Sequence, residues 1–112
     1  MERIEAAFRA KKIKLFARID QAAEAAAVGL TLRPTTLLIF GDPSKGTPLM
    51  EVYPDLAIDL PLKVLVWEAT PAEVFIGLTS PEFLQKRHRL PFAPFTEVVG
   101  LFTALINAKS PP

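Results

Sequence analysis

The sequence predicts an α+β fold: a two-layer sandwich of about four mostly antiparallel strands, with helices mainly on one face. Three observations carry this expectation. Ile13 to Ile19 alternates, with Ile13, Leu15, Ala17 and Ile19 facing one way and Lys14, Phe16 and Arg18 the other. That is the period of a half-buried strand. Lys63–Ala69 and Glu73–Leu78 flank a Pro71-Ala72 turn and read as a hairpin. Phe95, Val98, Val99, Phe102, Leu105 and Ile106 fall on one stripe of a final helix, the clearest amphipathic pattern in the chain.

The remaining elements follow in order. Ile4, Ala7 and Phe8 share one helical face within residues 2–11. Asp20 is a natural N-cap and Gly29 a natural stop for the alanine-rich helix between them. Phe16 breaks the polar face of the first strand and marks that face as partly covered. Pro34 imposes extended geometry before a second strand, Thr35–Phe40. This strand is apolar on both faces, so both are expected to be buried. Pro48 to Tyr53 makes two helical turns ended by Pro54. Ser80-Pro81-Glu82 starts a helix that runs to about His88. Leu90–Pro94 is a stiff linker, and residues 109–112 are a loose tail.

The 112 residues form a single domain. Half are hydrophobic, which excludes a disordered chain. A domain this small buries only roughly 65% of its unfolded surface. The apolar excess implies a second apolar surface, and a homodimer is its commonest use. A net charge of +1 implies neither nucleic acid nor an anionic membrane as partner. Cysteine is absent and histidine single, so thiol chemistry is excluded and no metal or other cofactor is expected. No apolar run approaches the roughly 18 residues of a membrane span. The charged start Met1-Glu2-Arg3 is not a signal peptide, so the expected location is the cytoplasm.

The chain is organised around Phe40 to Met50, read as a strand end, a glycine-bounded loop and a helix start at Thr47-Pro48. A helix N-terminus attracts anions through its free N–H groups, and Lys45 would add a full charge. Gly41 and Gly46 at this spacing resemble a nucleotide P-loop, but its lysine must follow the second glycine, and Thr47 stands there. A purely structural account also serves: Gly41 and Gly46 permit positive φ, Asp42-Pro43 turns the chain, and Thr47 caps the helix. That account leaves Lys45 unexplained.

The other candidates have structural readings beside their chemical ones. Asp20, Asp42, Asp59 and Glu68 sit at element ends, where cleft residues often sit, and two of them about 5–10 Å apart could act as acid and base; capping and turn formation are the plainer roles. His88 is placed to meet the last carbonyls of its helix. Trp67, mid-strand, packs in a core or interface, or offers a stacking platform. The runs Arg9–Lys14 and Lys86–Arg89 lack interleaved aromatics and read as solvated faces.

A resemblance joins these segments. Phe16-Ala17-Arg18-Ile19-Asp20, Leu32-Arg33-Pro34-Thr35, Leu38-Ile39-Phe40-Gly41-Asp42-Pro43 and Gly46-Thr47-Pro48-Leu49-Met50 occur in order. Ile58 to Lys63, Val66-Trp67-Glu68 and Lys86-Arg87-His88 follow. The set resembles the family catalogued as domain of unknown function 302, over about residues 3 to 90. The resemblance implies a small bacterial or archaeal domain of TATA-binding-protein-like topology, often dimeric and with no established activity. It does not imply DNA binding. Relative to the family's pattern, a strand ahead of the first helix is missing, and Gln21 stands where many members have histidine.

The leading functional expectation is binding of a small ligand, anionic or neutral, near Gly41–Thr47, with Gly41, Lys45, Gly46, Thr47, Asp20 and Trp67 as candidate contacts. Two alternatives stand beside it. One is a small-molecule enzyme using Asp20, Glu68 or His88 as acid or base; the other is a structural or protein-interaction module.

Overall fold

Four antiparallel strands form one open sheet in sequence order, and helices supply the second layer. The computed structural model describes residues 2–107; the expected tail at 109–112 lies outside them. The strands are β1 (Lys14–Asp20), β2 (Thr35–Gly41), β3 (Leu62–Thr70) and β4 (Glu73–Leu78). The helices are α1 (Glu2–Ala10), α2 (Gln21–Ala27), α3 (Pro43–Val52), α4 (Pro81–His88) and α5 (Thr96–Asn107). A 3-10 helix, Pro54–Asp59, joins α3 to β3 where the sequence shows only a proline stop and a lead-in to the strand.

The core lies on one face of the sheet. Leu38 and Phe40 of β2 and Val64 of β3 meet Ile4 and Phe8 of α1 and Phe102 of α5. Phe8 stacks on Phe40 at 4.7 Å between centroids, and Phe102 meets Phe8 edge-on at 6.0 Å. Three interlocking rings fix how α1 and α5 sit on the sheet, beyond what buried area alone would do. Of the stripe read along the last helix, Phe102, Val98 and Leu105 reach the core; Leu101, outside that stripe, joins them, while Val99 is 40% exposed and Phe95 precedes the helix.

Several local expectations hold. The Ala23 N–H donates to the Asp20 carboxylate at 2.9 Å, so Asp20 caps α2, and Gly29 follows that helix at φ 79°. The Phe83 N–H donates to the Ser80 hydroxyl at 3.0 Å, with Pro81 at the first helical position.

Three expectations are corrected. There is no loop from Gly41 to Thr47: α3 begins at Pro43, capped by Asp42, whose carboxylate accepts from the Ser44 N–H at 3.0 Å. Asp42-Pro43 is itself a cap followed by proline, and it starts the helix five residues before Thr47-Pro48 repeats the signal. Thr47 is therefore not a cap, Pro48 lies inside the helix, and neither Gly41 nor Gly46 has positive φ. Second, β2 is not covered on both faces. Leu38 and Phe40 are buried, but Leu37 and Ile39 are partly exposed on a sheet face that the core does not use. Third, Phe16 owes its place to an irregularity in the pairing. Leu15 pairs with Phe40 and Ala17 with Ile39, so Phe16 is the extra residue of a bulge, 43% exposed, with the Lys14 ammonium 4.9 Å from its ring centroid. The bulge also breaks the expected alternation: Ile13 and Leu15 pack on the core, while Ala17 and Ile19 pair with Ile39 and Leu37 on the opposite face, so the four do not face one way.

Candidate functional site

At the end of the sheet where β2 stops and β3 starts, a cleft of about 820 Å³ opens. That is the size of a small-molecule site. Its floor is Phe40, Gly41 and Leu62 from the strand ends. One wall is α3 with the segment leading into β3, through Gly46, Met50, Leu60 and Pro61; the other is α5, through Val98, Gly100, Leu101 and Ala104. Ile13, Phe16 and Phe95 complete an apolar lining.

The charged groups of the lining are Lys11, Asp42, Lys45 and Glu97. Asp42 is engaged by its own helix: it accepts from the Ser44 hydroxyl at 2.6 Å as well as from the Ser44 N–H. The Ser44 hydroxyl, then its N–H and the charge of Lys45, outweigh desolvation and hold the Asp42 carboxyl below its ordinary value of 3.8. The positive end of α3 thus already has its anion. Lys45 reaches Glu97 at 3.8 Å and so links α3 to α5, with both side chains more than half exposed. A pair so exposed is weak and opens readily to an incoming charge. Lys11 has no ion-pair partner among the described residues.

Three backbone features of the lining are not demanded by packing. Gly46 and Gly100 lie within helices, where glycine costs stability. A Cβ at Gly46 would make only ordinary contacts, Leu60 Cδ1 at 3.8 Å and Met50 Cε at 3.9 Å, and one at Gly100 would meet nothing within 4 Å. Phe95 holds a left-handed conformation, φ 60°, which is costly for a bulky residue.

Of the residues singled out in the sequence, Gly41, Lys45, Gly46 and Thr47 all line this cleft. Asp20 and Trp67 do not. Asp20 caps α2, while Trp67, 38% exposed, lies against Phe75 with ring centroids 5.1 Å apart. Of the four carboxylates considered for acid–base work, only Asp42 reaches the cleft. Asp59 instead binds α4: its carboxylate accepts from His88 Nε2 and lies 3.4 Å from Arg87 Nε. The His88 side chain is 7% exposed, so it serves as a clasp between the 3-10 helix and α4, and does not meet the helix carbonyls as its position in sequence implied. Sequence reading missed the α5 wall and Phe95. The amphipathic stripe located α5, but nothing in it shows that Gly100 and Ala104 face an opening.

The fold and site define a class: a small α+β domain with a single antiparallel sheet and an apolar cleft at one end of it. The chain belongs to the family described as "Domain of unknown function DUF302", whose profile matches residues 1–108. A crystal structure of an uncharacterised conserved DUF302 protein from Bacillus stearothermophilus has the same fold. Its TM-score is 0.79 at 16% identity, over 95% of this chain and 84% of that one. The chain is also 34% identical, over 103 residues, to a protein named "Fluoride-specific ion channel FluC 1" from Brucella suis biovar 1 (strain 1330). That match covers 92% of this chain and 41% of the relative. A protein of the same name from Brucella abortus biovar 1 (strain 9-941) matches at the same identity over 92% and 38%. The chain thus spans about two fifths of the length of these relatives. No helix among the described residues is long and apolar enough to cross a membrane.

Proposed function

We propose that this domain, as a homodimer, binds a small, mostly apolar molecule carrying one anionic group in the cleft beside Gly41–Thr47. The observation that carries the reading is the cleft itself: about 820 Å³, walled by aliphatic and aromatic side chains, with Lys11 and Lys45 among its few charges. Apolar walls supply affinity by excluding water, and a few charged groups fix orientation. The anion is met by lysine ammonium groups rather than by the start of α3, which Asp42 occupies. The glycines at 46 and 100 support the reading, because they leave room that the packing of the protein does not need.

The test is a titration with decanoate, an alkyl chain with one carboxylate, followed by calorimetry and by displacement of anilinonaphthalene sulfonate. Saturable binding is expected, and Gly100→Trp, which extends into the cleft from a position with open space, should abolish it. Near-UV circular dichroism guards against dye binding to a loosened state. No saturable binding of either probe up to about 1 mM, a limit of about −4 kcal/mol, would reject the reading. So would equal binding by wild type and Gly100→Trp.

The Brucella matches favour a second reading, in which the domain serves beside a fluoride channel. A channel built of helices needs spans of about 20 apolar residues, and the stretch these relatives share with this chain includes no such helix among the described residues. The domain would then act outside the membrane-spanning part. If it senses fluoride directly, sodium fluoride should raise its melting temperature above that in sodium chloride of equal ionic strength. Coincident curves would reject direct sensing.

A further inference from the structure

The charged side chains of the cleft are gathered at one end of it. Asp42 and Lys45 stand at the start of α3, and Glu97 in the first turn of α5. The Lys45–Glu97 pair, at 3.8 Å, therefore joins the two walls where both helices begin. Lys11 comes directly after the last residue of α1. That helix runs antiparallel to α5. Arg3 Nη2, near its start, donates to the Leu105 carbonyl at 3.2 Å, and Phe8, near its end, meets Phe102 edge-on. Its end thus points towards the start of α5, and Lys11 joins the same charged group.

Away from that end the lining carries no charge among the described residues. On α3 it continues through Gly46, Thr47 and Met50, and on α5 through Gly100, Leu101 and Ala104. Spacings of three and four keep each set on one helical face. Pro43 to Met50, like Glu97 to Ala104, is about 10 Å of helix. The cleft therefore has a charged end and an apolar end about 10 Å apart. About eight carbons of extended chain cover that distance, since each carbon–carbon bond of about 1.5 Å advances the chain by about 1.3 Å.

We infer that the cleft selects an amphiphile by direction and length. The carboxylate lies at the charged end against Lys11, and an apolar body of about eight carbons runs between α3 and α5 as far as Met50 and Ala104. This rests on the binding reading above and adds the ligand's orientation, its length and the residues that set both. Lys11 takes the anion because it has no ion-pair partner among the described residues, whereas Lys45 already holds Glu97. Met50 and Ala104 set the length because they are the last described residues of their helices to line the cleft, and a longer body passes beyond them into water.

The test is displacement of anilinonaphthalene sulfonate by straight-chain carboxylates from hexanoate to dodecanoate. In the wild type each added methylene should tighten binding by up to about fourfold, and the gain should cease between octanoate and decanoate. Ala104→Phe fills the apolar end from an exposed position. It should weaken decanoate by about tenfold, the equivalent of about two methylenes, and hexanoate by less than about twofold. Ala104→Leu should show the same trend at smaller size and guards against a folding defect in the larger variant, with near-UV circular dichroism as the check on both. Lys11→Met should weaken every carboxylate by one common factor, up to about fivefold for an exposed charge, and leave decanol as it was. If no carboxylate displaces the dye from the wild type, the binding reading falls and this inference with it. If carboxylates bind but the Ala104 variants weaken all lengths equally, or Lys11→Met binds decanoate as tightly as the wild type, the orientation alone is overturned and the cleft as a binding site stands.

Discussion

Replacing Gly46 by alanine should stabilise the protein by about 1.5 kcal/mol, and the sign of the effect distinguishes two descriptions of the Phe40–Met50 stretch. In α3 the Gly46 N–H donates to the Asp42 carbonyl at 2.9 Å, the residue is buried, and its φ is not positive. An added methyl meets Leu60 Cδ1 at 3.8 Å and Met50 Cε at 3.9 Å, which is contact without overlap. The helical preference of alanine over glycine contributes about 0.8–1 kcal/mol. Burying one methyl contributes about 0.8 kcal/mol, reduced where the cleft leaves it wet. With a urea slope of about 1–1.5 kcal/mol/M for a domain of this size, the midpoint rises by about 1 M. The assay is urea denaturation followed by far-UV circular dichroism, with the slope fitted independently. A loop glycine at positive φ would give the opposite sign, losing more than about 1 kcal/mol. A midpoint that falls, or does not move, at constant slope would refute helical packing at Gly46.

Further outcomes follow from the same geometry. Gly100→Ala, with open space around the new methyl, should gain about 0.5–1 kcal/mol, read as a higher melting temperature. Thr47→Ala, at an exposed position inside α3, should change stability by less than about 0.5 kcal/mol. Asp42→Ala, by contrast, should lower the urea midpoint, because it removes the cap. The Asp42 carboxyl lies below its ordinary value of 3.8 in the folded state, so its contribution is full above that pH and is lost as pH falls through the folded value. The gap between wild type and Asp42→Ala should therefore close on acidification below about pH 4, as measured by urea midpoints across a pH series. Asp59→Ala leaves the nearly buried His88 without its partner and should cost about 1–3 kcal/mol in chemical denaturation. Arg89, which ends α4 at φ 55°, is exposed; Arg89→Gly should gain about 0.5–1 kcal/mol, the relief of left-handed strain less the entropy of glycine.

The sequence by itself determined the kinds of element and most of their positions. Period-two alternation from Ile13 to Ile19, caps at Asp20 and Ser80, and the stripe of α5 are local signals, each set by backbone sterics or by which side of an element is apolar. Even the misplaced start of α3 was a choice between two local signals of the same form, Asp42-Pro43 and Thr47-Pro48. It also located one wall of the cleft, since Gly41, Lys45, Gly46 and Thr47 are consecutive or nearly so.

What tertiary structure alone decided are meetings between residues distant in the chain. Lys45 finds Glu97, His88 finds Asp59, and Gly100 of α5 faces the end of a sheet sixty positions earlier, at Phe40. No periodicity carries such information, because it depends on the angle at which one packed helix crosses a sheet, and that angle is set by the three rings of Phe8, Phe40 and Phe102 together. The same holds for Leu37 and Ile39. Their apolarity reads as burial in any sequence, and only the arrangement of the layers shows that the helices cover the other face.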